Sequence, residues 1–137
     1  MKHIRDLYPE AEFENKDWEY KEQLDPKNIE GWAKSISGFA NVKGGTIYIG
    51  VTDDGMAKGL SRSMVDKSKL LINQTIERNI YPKVSVTMEP KDVNGDHELY
   101  VLAVRIPQTP GFVRFRRGDY SETAYKRQDG ETDPASV

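Results

Sequence analysis

A chain of 137 residues with 36% apolar and 31% charged side chains fits one domain with a modest core, and its short apolar runs exclude a membrane span of about 20 residues. No cysteine is present, which excludes disulfides, thiolate metal sites and cysteine nucleophiles; with no apolar leader behind Met1-Lys2-His3, a cytoplasmic protein is expected. The net charge of −2 hides an asymmetry: residues 1–30 hold nine acids against five bases, whereas residues 105–128 hold six bases (Arg105, Arg114, Arg116, Arg117, Lys126 and Arg127) against Asp119 and Glu122.

Residues 1–11 read as an N-terminal arm with a short helical turn, and a strand is expected near 17–21. Asp25-Pro26 then predicts a helix start, with Asp25 as N-cap and Pro26 in the first turn. Ile29, Trp32, Ala33, Ile36, Phe39 and Ala40 recur at helical spacing, while Lys34, Ser37 and Asn41 fall off that stripe. This helix, over 26–41, ends before Gly44-Gly45. Residues 46–51 alternate as a strand, with Ile47, Ile49 and Val51 pointing one way and Thr46, Tyr48 and Gly50 the other. Asp53-Asp54-Gly55 is a turn. A second helix over 62–80 is predicted from Val65, Ile72, Ile76 and Ile80, with Ser63 and Asp66 as a capping box. Tyr81-Pro82 closes it.

The period then changes to two. Val84, Val86 and Met88 alternate, a polar turn covers 90–96, and 99–106 form a strand apolar on both faces. Such a strand belongs in the centre of a sheet with helix over at least one side. Shorter strands are expected at 112–117 and 122–126, and the polar residues 131–137 read as a frayed tail. The expected fold class is α+β: a single mixed sheet with two main helices packed against it.

Few residues offer chemistry. His3 and His97 are too far apart in sequence to suggest a zinc site, and no Gly-x-Ser-x-Gly occurs. Gly44-Gly45 precedes its strand and lacks the Lys-Ser/Thr of a phosphate loop. The carboxylates offer more. Glu14 and Glu19 stand five apart, and Asp53 and Asp54 follow the clearest strand. Hard cations such as Mg²⁺ or Mn²⁺ take several carboxylate oxygens, and an ion so held can activate water against a phosphodiester. Lys21 falls on the same strand face as Glu19, where it can reach the same phosphate. The plainer reading makes these acids caps and a turn. In Phe112-Val113-Arg114-Phe115-Arg116-Arg117 a strand puts Phe112, Arg114 and Arg116 on one face and Val113, Phe115 and Arg117 on the other. Arginine forks match phosphate oxygens and aromatic rings stack on bases, unless the rings fill the core.

Glu19-Tyr20-Lys21, Ile36-Ser37-Gly38-Phe39-Ala40-Asn41, Gly44-Gly45-Thr46-Ile47-Tyr48-Ile49-Gly50-Val51, Asp54-Gly55 and Gly59-Leu60, in this order, resemble the Schlafen-type AlbA domain. Tyr81-Pro82, the 99–106 strand ending before Pro107, and Tyr125-Lys126-Arg127 extend the likeness over 12–130. The resemblance implies an α+β, Schlafen/Alba-like domain that binds DNA or RNA as a module of transcriptional regulators, either alone or as a fragment of a longer ATPase-like or winged-helix protein. Together with the basic segment, it makes Lys21, Arg114, Arg116, Arg117, Lys126 and Arg127 the expected nucleic-acid contacts. Animal Schlafen relatives look like metal-dependent endoribonucleases with two glutamates five apart and a later aspartate. Glu14, Glu19 and Asp54 match that set, so the resemblance implies an alternative: a nuclease for structured RNA holding Mg or Mn on these three, with Lys21 on the phosphate. Arg127-Gln128-Asp129-Gly130 is one residue longer than the family's arginine-x-glycine. A single copy would need a homodimer or partner to enclose RNA, and a third reading is an oligomerisation or protein-interaction domain.

Overall fold

The computed structural model describes residues 1–9, 18–116, 122–128 and 130–135. The N-terminal arm contains the short helical turn expected of it, α1 (Ile4–Leu7), capped by His3, whose imidazole accepts from the Arg5 amide. Strand β1 (Trp18–Lys21) follows, then helix α2 (Glu30–Val42) and strand β2 (Gly45–Ile49). A parallel pair needs a crossover connection, and α2 supplies it: β1 runs parallel to β2 with Glu19 opposite Ile47. Helix α2 starts later than the sequence predicts. Asp25 accepts from the Lys27 amide in a turn of its own, and Ile29 holds the N-cap without a side-chain bond.

Helix α3 (Arg62–Asn79) matches the predicted span, but its cap is Ser61, which accepts from the Met64 amide, and not the expected Ser63–Asp66 box. Strands β3 (Ile80–Tyr81), β4 (Thr87–Asp92), β5 (Tyr100–Ile106), β6 (Arg114–Arg116), β7 (Glu122–Gln128) and β8 (Glu131–Pro134) complete the chain. Pro90 was expected in the turn; it lies inside β4, an edge strand whose outer side has no ladder for proline to break. Of the tail expected to fray, Glu131–Pro134 pair as β8 with β7.

The class is α+β, with the strands divided between two sheets. The first is mixed, in the order β1-β2-β5-β4, and the second is antiparallel, in the order β3-β6-β7-β8. As its sequence requires, β5 is central and apolar on both faces. Leu102, Val104 and Ile106 join Ile36, Phe39 and Ile72 of the helices in one core. Val101 and Ala103 join Ile4, Leu7 and Tyr8 of the N-terminal arm in the other. Val51 departs from its predicted face. Gly50 takes a φ of +97°, which glycine adopts without a Cβ penalty, and the turned backbone delivers Val51 to the Tyr48 side. Among the described residues no helix is long and apolar enough to cross a membrane.

Helix α2 lies between the sheets and is buried on more than its apolar stripe: Ser35, Ser37 and Gly38 are covered as fully as Ile36 and Phe39. At Gly38 the helix closes on the β7–β8 hairpin, because a Cβ there would sit 2.8 Å from Thr132 Cγ2 and 3.4 Å from the Arg127 amide nitrogen. Gly38→Val should therefore overpack this contact at a cost of roughly 1–3 kcal/mol, read as a lowered denaturant midpoint with an unchanged m-value. An unshifted midpoint would show that the helix and hairpin separate easily.

Candidate functional site

The two groups of residues singled out by sequence occupy two different places. Glu19, in β1, faces α2 and the second sheet. Its carboxylate accepts from Ser35 Oγ at 2.8 Å (Oε2) and 3.1 Å (Oε1), and from Arg127 Nη1 at 2.7 Å. The Arg127 side chain is 1% exposed and that of Glu19 is 10% exposed. Arg127 also donates to Thr132 Oγ1 at 3.0 Å and to the Trp18 carbonyl at 3.3 Å, and its guanidinium lies 5.0 Å from the centre of the Phe39 ring. Two charges withdrawn from water are tolerable when each is paired and its remaining donors and acceptors are met.

This geometry bears on two expectations. Arg127 was expected on nucleic acid; it is buried and donates to Glu19, Thr132 and the Trp18 carbonyl. Glu19 was expected on a divalent ion; its Oε1 accepts from Arg127 and its Oε2 from Ser35, so an ion at this carboxylate would share it with a guanidinium. Asp54 lies elsewhere. It accepts from Thr52 Oγ1 within the predicted turn, and that turn is held by the N-terminal arm through the Ile4 amide and the Gly55 carbonyl at 2.7 Å. Glu14 lies outside the described residues. Among the described residues, no three acidic or histidine side chains gather as a cation site.

Lys21 shares the face of Glu19, as the strand period requires. Both line a cleft of about 350 Å³ with Lys34, Arg127, Thr132 and Asp133. The Lys21 ammonium donates to the Gly31 carbonyl at 3.3 Å, near the start of α2.

The second group forms a surface. In β6, Phe115 and the preceding Val113 point inward and are buried, while Arg114 and Arg116 point outward and are partly exposed. Tyr81 of β3 is the cross-strand partner of Arg114 and therefore shares its face. The Arg116 guanidinium lies 6.0 Å from the centre of the Tyr81 ring, and that of Arg114 lies 5.8 Å from the Phe112 ring. Phe112 keeps the predicted proximity to Arg114 through a φ of +54° outside the strand, while Phe115 fills the core. On β7, Ala124 pairs with Arg114, so Lys126, two residues on, is on the same face and exposed. Arg117 lies outside the described residues. The sequence reading gave Tyr81 no contact role, taking it as a helix stop and as part of the family likeness; its pairing with Arg114 spans 33 residues and leaves no local signal.

Three polar side chains, two on α2 and one on α3, set the position of this face. Ser37 Oγ donates to the Val113 carbonyl at 2.7 Å and accepts from the Tyr125 amide at 3.1 Å. Asn41 Nδ2 donates to the carbonyls of Val113 and Tyr125, and its Oδ1 accepts from the Val113 amide. At the end of α3, Asn79 Nδ2 donates to the Arg116 carbonyl at 2.8 Å. The backbone bearing the arginines is thereby fixed from behind.

A family model described as Schlafen, AlbA_2 matches residues 14–136. Among solved structures, the chain is similar to the DIP2311 protein from Corynebacterium diphtheriae, at 16% identity and a TM-score of 0.57. That match covers 87% of this chain and 25% of the other, so this chain spans about a quarter of that protein's length. At such identity the likeness shows the fold alone. No curated protein matches the sequence.

Proposed function

Since the chain belongs to the Schlafen AlbA_2 family, we propose that it is a nucleic-acid-binding module that makes contact through the outer face of its second sheet. The observation that carries this reading is the outward row of Arg114 and Arg116, with Lys126 beside it and Tyr81 and Phe112 against the guanidinium groups. Guanidinium forks suit phosphate oxygens, and an aromatic ring centre lies within 6.0 Å of each guanidinium carbon. The overall charge of −2 does not oppose this, because the local field over a basic face is what draws a polyanion. Placement within a longer regulator is part of the same proposal: a structural relative carries a fold of this kind in about a quarter of its chain.

Each phosphate contact releases counterions, so affinity should fall linearly on a log–log plot against salt. Fluorescence anisotropy with labelled duplex DNA and a structured RNA measures that slope. Arg114→Ala and Arg116→Ala should each reduce it by roughly 0.9 on the duplex. Absence of binding to either probe at low ionic strength, or an unchanged slope in both variants, would overturn the assignment of this face.

A further inference from the structure

Tyr81 has a feature that phosphate binding alone does not use. Its side chain is 60% exposed even with Arg116 against the ring, and among the described residues no other aromatic side chain is exposed. The remaining described aromatics are buried or half-buried, including Phe112 beside Arg114. Tyr81 is also held rigidly. Its backbone pairs with β6, the preceding Ile80 is buried, and Asn79 is tied to the Arg116 carbonyl. A ring kept in water on a rigid strand, flanked by arginines two residues apart, is a stacking platform with phosphate contacts alongside it.

We infer that this face binds single-stranded nucleic acid, with an unpaired base stacked on Tyr81 and the adjoining phosphates on Arg114 and Arg116. The inference rests on the nucleic-acid reading above and narrows it. In a duplex the base faces are covered by their neighbours, so an exposed aromatic gains nothing from them. In a single strand every base presents a π-face, and stacking on an aromatic side chain is tolerant of sequence. Arginine adds to the platform, since its plane stacks on a base or on the ring itself.

The test uses the full chain and four probes of equal length: oligothymidine, oligouridine, the same strand built from abasic residues, and duplex DNA. The abasic strand keeps the phosphates and removes the bases. Wild-type protein should bind oligothymidine or oligouridine at least about fivefold more tightly than the abasic strand. Tyr81→Ala should remove that preference, losing several-fold more on the base-bearing strands than on the abasic strand or the duplex, and Tyr81→Phe should keep it. Circular dichroism checks that both variants remain folded, which the exposure of Tyr81 favours. Equal affinity for abasic and base-bearing strands, or an equal loss on every probe in Tyr81→Ala, would overturn the stacking inference while phosphate binding stands. Failure of all four probes to bind would remove the nucleic-acid reading itself. The oligothymidine and oligouridine arms separate DNA from RNA as the source of the strand.

Discussion

Arg127→Met is expected to destabilise the protein by about 3–5 kcal/mol, the usual loss when one member of a buried ion pair is removed and the other stays charged. Glu19 would keep only Ser35 as a partner, beneath a helix and a sheet. The Trp18 carbonyl and the Thr132 hydroxyl would lose their donor as well. Pairing the change with Glu19→Met should recover most of the loss, because an apolar pair of similar volume often replaces a buried ion pair at little cost. Urea unfolding of the two single variants and the double variant gives the coupling directly. A single-variant loss below about 1 kcal/mol would mean that water screens the pair and that Arg127 is available to a ligand after all.

The second large effect is expected at Asn41. Replacing it by leucine removes two donor contacts and one acceptor contact to the backbone of Val113 and Tyr125. Val113 and Tyr125 are themselves buried, and unmet backbone groups each cost about 1–3 kcal/mol. Asn41 is half-exposed, so water reaches part of the gap and the expected loss is about 2–4 kcal/mol. Amide chemical shifts should move at 113–116 and 122–128 far more than in β4. Nucleic-acid affinity should fall with them, since β6 carries the arginines. Shifts spread evenly over both sheets would show that Asn41 does not set the position of this face.

Much of the fold is legible in the sequence wherever the signal is apolar and local. The two-faced strand β5, the stripe of α2 and the extent of α3 follow from periodicity alone. What periodicity cannot read is a helix buried by polar contacts. Ser37 and Asn41 fall off the apolar stripe, which suggests solvent; they face β6 and β7 instead, through bonds spanning 72 to 88 residues. Glu19 and Arg127 each invite a chemical role when taken singly, and nothing in their spacing shows that they neutralise each other. One signal was available: Arg127 is two residues from Tyr125, and a strand that turns a tyrosine inward turns that arginine inward too. The outward arginines of β6 were legible because Val113 and Phe115 alternate with them. Tyr81 was not, because a two-residue strand has no period to detect.

The polar ties behind the second sheet also fix when it can form. Those from β1 and α2 join residues 72 to 109 positions apart, and contacts of such separation are made only after a long loop has been closed. Helix α2 and the β1–β2 pair lie early in the chain and can come together without β7. Strand β6 by contrast has three residues, and its flanking partners are β3, with two residues, and β7, with seven. On a ribosome the arginine row therefore stays unframed until residues 122–128 have emerged and docked on α2. The surface proposed to bind ligand is thus expected to be among the last parts of this domain to acquire its shape.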